Sequence, residues 1–431
     1  MSHAPLRLAI AGIGTVGAGV VSIVQHHAAM LRQRTGRDII ITAVSARDRT
    51  RDRGVSLGDY AWCDDAIALA QRDDVDVVVE LMGGAEGAAR QLVTQALQAG
   101  KHVVSANKAL IAHHGAELSE IAEAHQVTLA FEAAVAGGIP IIKLIKEGLS
   151  ANRYERIIGI LNGTCNYILS VMERTGRDFA DVLAEAQALG YAEADPSFDI
   201  DGVDASHKLC ILSALAFSTV PNLQGMHCEG IRNIGADDIL AAHELGYRIR
   251  LLAVTVQRPE GIELRVHPAL MPQENKIAQV TDVYNAVHLF TSHAADMFIE
   301  GRGAGRDATA SAVMADVIDI ARGHTMLPFM VPAQTLARAQ LVPLDAFDSA
   351  YYVRLRVRDT AGVLADLTRC FADHDISVAS FIQHATHPNQ EATIILTTHI
   401  TTEAKVRAAL VDIKALNSVV APPCMIRIEE E

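Results

Sequence analysis

Aromatic side chains make up only 4% of the 431-residue chain, with a single tryptophan, Trp62. Such a surface offers no platform on which successive bases of a single strand can stack. Positive charge is also short: 37 lysines and arginines stand against 51 acids, a net charge of −14 with histidine neutral. No basic cluster offsets that balance, so no nucleic-acid partner is expected. No apolar run approaches the roughly 20 residues of a spanning helix, and no membrane role is expected. The opening Met-Ser-His-Ala-Pro-Leu-Arg carries no charged-then-apolar leader. The six cysteines (Cys63, Cys165, Cys210, Cys228, Cys370, Cys424) show no short paired spacing. That argues against a disulfide scaffold or zinc knuckle and for a reducing cytoplasm. The eighteen histidines contain no His-x-x-x-His pair in a helical pattern, which leaves a histidine metal site without support.

What the chain has is apolar residues in half its positions and a length too great for one core, so two or three domains are expected. Apolar runs at Leu6 to Ala11, Ile39 to Ser45, Val75 to Leu81 and His102 to Ser105 alternate with helical spacing at Val16 to Arg34 and Ala88 to Ala99. Strand–helix alternation with continuous apolar strands predicts a Rossmann-type, doubly wound parallel sheet over residues 1–139, closed by Val127 to Val135. Pro140 suits the first position of a helix from Ile141 to Leu149. Residues 140–326 then read as an α+β unit with a mixed sheet. Its strands are Arg156 to Leu161, Arg248 to Val256, Ile262 to Val266 and Val280 to Phe290; its helices are Asp178 to Leu189 and Asp204 to Phe217. A helix from Thr309 to Arg322 is expected to pack back on the first unit. Residues 327–348 read as a proline-bearing linker. Residues 349–431 read as a separate β-α-β-β-α-β unit of ferredoxin-like type.

Gly12-x-Gly14-x-x-Gly17, with Ile13, Thr15 and Val16 between the glycines, sits between a strand and a helix, the context of a dinucleotide fingerprint. The glycines permit a tight turn and close approach of a pyrophosphate to N–H groups at the helix start. The second strand ends Val44-Ser45-Ala46-Arg47, with Arg49, Arg51 and Arg53 behind it. A hydroxyl and a guanidinium suit a 2′-phosphate, so NADP(H) is favoured; Asp48 keeps NAD(H) open. Lys108, after Ser105-Ala106-Asn107, ends a parallel strand and is placed at the cofactor.

The stretch from Gly190 to Lys208 holds Glu193, Asp195, Asp199, Asp201 and Asp204 just ahead of an apolar run. Asp204 and Lys208, four apart, share a helical face. A lysine held near carboxylates at a dry helix entrance suits proton transfer, because burial and neighbours move the pKa of such a group. The same residues admit a structural arrangement, with Asp201 capping the helix and Asp204 paired to Lys208 on the surface. Cys165, in Asn162-Gly-Thr-Cys-Asn166, has no base or cation nearby in sequence and reads as a buried thiol rather than a nucleophile.

Gly12 to Gly17, Ser105-Ala-Asn-Lys108, Glu132-Ala-Ala-Val-Ala-Gly-Gly-Ile-Pro140, Leu161-Asn-Gly-Thr-Cys-Asn166, Gly190-Tyr-Ala-Glu-Ala-Asp-Pro196 and Asp204-x-x-x-Lys208 together resemble homoserine dehydrogenase, in order and spacing, to about residue 330. The tail resembles the ACT domain that many members append, although Asp359-Thr-Ala-Gly362 lacks the proline often found before that glycine.

The resemblance implies reversible, NAD(P)H-dependent reduction of L-aspartate 4-semialdehyde to L-homoserine, in threonine, methionine and isoleucine biosynthesis. It assigns the proton donor and acceptor to Lys208, with Lys108 assisting. Glu193 and Asp204, supported by Asp199, are to hold the substrate ammonium; Gly190 and Gly303 are to approach the nicotinamide. It further implies a monovalent cation (Na+ or K+) on Glu132 and the carbonyls of Val135, Gly137 and Ile139. L-threonine is the implied effector, and a homodimer or homotetramer the implied assembly. Aspartate-semialdehyde dehydrogenase, which needs a thiolate, another NAD(P)-linked amino-acid dehydrogenase and a non-catalytic amino-acid sensor are the alternatives.

Overall fold

A computed structural model describes residues 4–383 and 391–429. The apolar runs of the first third become six parallel strands: β1 (Leu6–Ala11), β2 (Ile39–Ser45), β3 (Ala61–Trp62), β4 (Val77–Glu80), β5 (His102–Ser105) and β6 (Leu129–Ala130). Their spatial order is β3-β2-β1-β4-β5-β6. The order reverses beside β1, which puts the ligand crevice at the carboxyl ends of β1 and β4. Leu8, Ile10 and Val77 to Val79 are wholly buried because helices cover both faces. One of those helices, Arg306–Arg322, returns from far along the chain to pack on Thr15–His26. The two meet at Gly19, where a Cβ would stand 2.9 Å from that of Ala310.

The second sheet has eleven strands among the described residues. The central half supplies β7 (Tyr154–Ile160), β8 (His227–Cys228), β9 (Tyr247–Arg258), β10 (Gly261–Pro272), β11 (Tyr284–Thr291) and β12 (Ala295–Arg302). The tail supplies β13 (Asp348–Arg358), β14 (Val378–Gln383), β15 (Glu391–Thr398), β16 (Thr401–Thr402) and β17 (Cys424–Ile428). The path runs β12-β11-β7-β9-β10-β17-β13-β15-β14, with β8 beside β10 and β16 beside β13. The sheet is mixed: β17 and β8 run parallel to β10, and the other pairs are antiparallel.

The tail keeps the β-α-β-β-α-β order, with helices Val363–Asp373 and Glu403–Ala415 on its own apolar core. It does not stand apart, however. Ala269 and Leu270 of β10 pair with Arg427 and Ile428 of β17, so one sheet runs through both units. Asp238, wholly buried, accepts from the Tyr352 hydroxyl at 3.0 Å and from Arg354 Nη2 at 3.0 Å, a second fastening. Apolar periodicity cannot reveal this junction, because its pairing depends on backbone register and on charged side chains. The proline-bearing stretch also lies against the sheet, with Leu341 bridged to Ile262.

Several boundaries differ from the sequence expectation. The helical run Val16 to Arg34 is broken at His27 into Thr15–His26 and Ala28–Thr35. The strand expected over Val127 to Val135 is only Leu129–Ala130, followed by a 3-10 turn at Glu132–Ala134. The helix expected from Ile141 to Leu149 is one α-turn, Ile141–Lys143, continued by a π-turn, Leu144–Gly148. Helices Lys108–Ala124 and Gly163–Thr175 were not expected; each starts behind an asparagine cap, Asn107 and Asn162.

Candidate active site

Helix Val203–Phe217 begins after Gly202, which takes a left-handed φ of 84°. Asp201 does not cap it; its carboxylate pairs with Arg232 at the surface, at 3.0 Å through Nη2. Asp204 and Lys208 do pair at 2.7 Å, but both are buried, at 4% and 8% exposure. The surface arrangement is thereby corrected: these charges point into the protein. Lys208 Nζ also donates to the Leu161 carbonyl at 2.7 Å.

Lys108 opens helix Lys108–Ala124 and reaches Asp204 from the opposite domain, Nζ to Oδ1 at 2.9 Å. The Asn162 amide donates to Asp204 at 2.9 Å and to Asp199 at 2.8 Å. Asp204 therefore takes three hydrogen bonds, two from lysines, of the roughly four a carboxylate can accept. Burial opposes its charge, but the two lysines outweigh burial and hold its carboxyl well below the usual carboxylate range. Lys108 shows the reciprocal: burial lowers it, the Asp204 charge overcomes that, and its pKa is raised. Burial raises the Asp199 carboxyl against the Asn162 bond, with the Asp204 charge adding to the rise. His207, packed edge-on against His113 and Phe198, is pushed down to about 4 by burial and then by His113.

Of these groups Lys108 and Lys208 line a cleft of about 590 Å³, together with Glu193, Phe198, Gly137 and Gly303, while Asp199 and Asp204 stand behind that lining. Glu193 is exposed at its rim, and the Phe198 ring lies 5.6 Å from Lys108 Nζ. A second cavity, about 570 Å³, holds Gly12, Ile13, Gly14, Ser45 and Arg47. The two share Leu81, Met82 and Gly83, so one groove runs from Arg47 to Lys208. Its length and its position at the switch point suit a dinucleotide.

The glycine loop fits that role. Gly12 has φ 98°, and a Cβ there would sit 2.6 Å from the Leu81 carbonyl. A Cβ on Gly17 would strike the Gly12 carbonyl, while Gly14 faces open space. Thr15 and Val16 begin the helix and line the cleft. Ile13 buries its side chain, and its carbonyl accepts from Arg53 Nε at 2.7 Å. Arg53 also donates to the carbonyls of Arg51 (2.6 Å) and Asp48, so its guanidinium braces the loop. Arg47 is exposed beside buried Ser45 in the second cavity.

Gly303 lines the cleft with the Asn285 amide lying where its Cβ would go, so any side chain there would have to displace Asn285. Gly190 is different. It ends the turn after helix Phe179–Ala188 with φ 76°, exposed and outside the residues lining the cleft.

Glu132 is 2% exposed, and its two oxygens accept from the N–H groups of Ile142 at 3.0 Å and Lys143 at 2.7 Å. Burial, then the Asp316 charge, push its carboxyl up to about 8. Beyond Val135, Ala136 (φ 54°) and Gly137 (φ 43°) turn the chain sharply, and the Ile139 carbonyl accepts from Ile141. A buried carboxyl followed by backbone carbonyls is an all-oxygen donor set, the chemistry a hard cation takes, and a cation there would favour the ionised form that burial opposes.

Cys165 is wholly buried; burial and then the Asp199 and Asp204 charges push its thiol far up. It cannot serve as a thiolate nucleophile at neutral pH. Sequence reasoning had missed the work of Asn162, although its place before the helix at Gly163 was a capping signal.

Three family models match the chain. The model described as "Homoserine dehydrogenase, NAD binding domain" matches residues 12–132, "Homoserine dehydrogenase" matches 140–318 and "ACT domain" matches 351–417. Homoserine dehydrogenase of Neisseria gonorrhoeae is 45% identical, with 99% of each chain covered. That of Pseudomonas aeruginosa is 42% identical over the same shares. A homoserine dehydrogenase crystal structure from Thiobacillus denitrificans superposes with a TM-score of 0.93 at 43% identity, covering 100% of both chains. A hyperthermophilic archaeal homoserine dehydrogenase, solved in complex with NADPH, gives a TM-score of 0.63 at 26% identity over 73% of this chain and 97% of its own.

Proposed function

Since the chain belongs to the homoserine dehydrogenase family of NAD(P)-dependent oxidoreductases, we propose that Lys208 is the group that moves the proton between L-homoserine and L-aspartate 4-semialdehyde. The observation that carries this is the set of partners around its Nζ. An ammonium has three donors, and the Leu161 carbonyl and Asp204 take two of them. The third position belongs to the cleft that Lys208 lines.

The nicotinamide cofactor, when bound, takes or gives the hydride. In homoserine oxidation, neutral Lys208 keeps its two N–H bonds to Leu161 and Asp204 and accepts the hydroxyl proton on its lone pair. In the reverse direction the ammonium returns that proton to the carbonyl oxygen. Asp204 keeps Nζ in place through both states. Lys108, on the other oxygen of the same carboxylate, faces the substrate and assists the relay.

Because Asp204 is nearly saturated by its three donors, Glu193 and Asp199 carry more of the substrate ammonium than the sequence reading gave them. Asp204 acts first on the lysines. A cationic ammonium calls for carboxylates, and among the described residues neither Glu193, at the rim, nor Asp199 has a lysine paired to it as Asp204 has.

The same reading includes NADP(H) as the favoured cofactor, supported by Ser45 and Arg47 in the adenosine-side cavity and by the NADPH-bound archaeal relative. It includes Na+ or K+ on Glu132 with the carbonyls of Val135, Gly137 and Ile139. It includes L-threonine as effector at the ACT tail, a homodimer or homotetramer, and a place in threonine, methionine and isoleucine biosynthesis. Six free thiols suit a reducing cytoplasm. No helix among the described residues is long and apolar enough to cross a membrane.

The test is homoserine oxidation with NADP and NAD in parallel, with and without L-threonine. Faster turnover with NADP at limiting cofactor, lowered by threonine, supports the reading. No oxidation with either cofactor removes it; activity without threonine sensitivity removes the effector alone.

A further inference from the structure

Strand β4 ends in Glu80, a side chain with no exposed surface. Its Oε1 accepts from the N–H of Met82 at 2.8 Å, the N–H of Gly83 at 3.3 Å and the Asn107 amide at 3.4 Å. Its Oε2 accepts from the Ser105 hydroxyl at 2.6 Å. These four donors come from the turn after β4 and from the end of β5 with the residues that follow it, and Met82, Gly83 and Asn107 all line the cleft.

The bonds continue toward Lys108. The Ser105 oxygen accepts from the Asn107 N–H at 3.0 Å. The Asn107 amide donates to the Gly84 carbonyl at 2.7 Å, and its oxygen caps the helix by accepting from Leu110 N–H at 3.1 Å. Lys108 is the first residue of that helix. The backbone that launches it is therefore fixed on one side by Ser105 and on the other by Asn107, and both rest on Glu80.

An apolar side chain would end this strand at less desolvation cost, as Val77 to Val79 do along its length. What a carboxylate adds is acceptor capacity alone, enough for four donors at once. We propose that Glu80 is a positioning residue for the reaction: acting through Ser105 and Asn107, it sets Lys108 Nζ against Asp204. This rests on the reading that Lys108 faces the substrate.

Glu80→Gln keeps the shape and replaces one acceptor by a donor: with the amide nitrogen toward Ser105 the hydroxyl loses its acceptor and must turn, and with it toward the Met82–Gly83 turn those N–H groups lose theirs. A shift of the Lys108 ammonium by a fraction of an ångström is expected to cost about tenfold in kcat for homoserine oxidation. The deciding measurement is a double-mutant cycle with Lys108→Ala, with melting temperature and NADP affinity confirming folded protein. In the Lys108→Ala background, Glu80→Gln is expected to change kcat by less than about twofold. Equal losses in both backgrounds, or no loss in the first, overturn the proposal. Should Glu80→Gln not fold, Ser105→Ala enters the same cycle, with the same non-additivity expected and the same equality contradicting it. A Lys108→Ala enzyme with full kcat would instead overturn the reading of Lys108 and the Glu80 proposal with it, so the two failures are distinct.

Discussion

Arg265 and Glu429, 164 residues apart, form a buried ion pair at 2.7 Å that fastens the end of the tail to the central sheet. Arg156 holds the other Glu429 oxygen at 3.0 Å, so two arginines of the central half close on one acid of the last strand's end. Burial opposes the charge of Glu429, yet the arginines beside it and His267 hold its carboxyl far below the usual range. A folded-state pKa below the unfolded one adds stability above the ordinary glutamate range and loses it as pH falls.

Glu429→Gln should therefore lower the melting temperature at neutral pH and flatten its decline on acidification. Removing one partner of a buried pair typically costs about 3–5 kcal/mol. Thermal melts of both proteins across an acid series check this; parallel curves offset by nothing would contradict it. The same pair bears on any test of regulation by truncation. A chain ending at Leu341 loses Glu429 and leaves Arg265 only one of its two acids, Glu263, so lost activity there would report on folding. Point changes in the tail are the better probe.

Glu193→Gln and Asp204→Asn should separate. Under the proposed reading Glu193 holds the substrate ammonium, so its amide variant should raise KM for homoserine, by about tenfold for a lost charged hydrogen bond, with kcat nearly kept. Asp204→Asn disturbs both lysines at once and should lower kcat, by about 10²-fold or more. Steady-state kinetics on the two variants decide; equal KM effects and untouched kcat would return Asp204 to a simple ammonium ligand.

Arg47→Ala should weaken NADPH by about 10–100-fold and NADH far less, because a charge-assisted bond to a 2′-phosphate contributes about 1.5–3 kcal/mol. Titration of cofactor fluorescence measures both affinities. Equal loss would mean that Arg47 does not read that phosphate.

Glu132 predicts a cation effect with a definite sign. Its carboxyl is raised to about 8 in the fold, so its contribution is full below the ordinary glutamate range and is lost as pH rises toward about 8. Under the proposed reading, K+ or Na+ bound there would offset that loss. Melting temperature between about pH 6 and about pH 9 should rise with KCl over choline chloride at equal ionic strength, most at the alkaline end. Glu132→Gln should erase the difference; an unchanged salt response in that variant would remove the cation from this site.

Much of this was legible in the sequence because its signals are local. Gly12 to Gly17 needs only a strand, a turn and a helix in succession, and Asp204 with Lys208 needs only helical spacing. The lysine pair was half legible: each lysine could be marked, but their meeting on one carboxylate joins two domains. Glu80 gave no signal, since an acid after three valines reads as the end of a strand. The β10–β17 junction was hidden for the same reason: parallel pairing of distant strands leaves no periodicity of its own. Gly190 was placed at the nicotinamide by motif, whereas the fold sets it in a surface turn.

The central claim is that Lys208 moves the proton. Lys208→Ala should lower kcat for homoserine oxidation and semialdehyde reduction alike, by about 10²–10⁴-fold, with NADPH affinity nearly unchanged. A pH–kcat profile of this variant beside the parent enzyme is the most direct measurement. The account predicts that the lost rate does not return at any pH, in either direction. A variant that kept near-normal kcat and the parent's profile would contradict it.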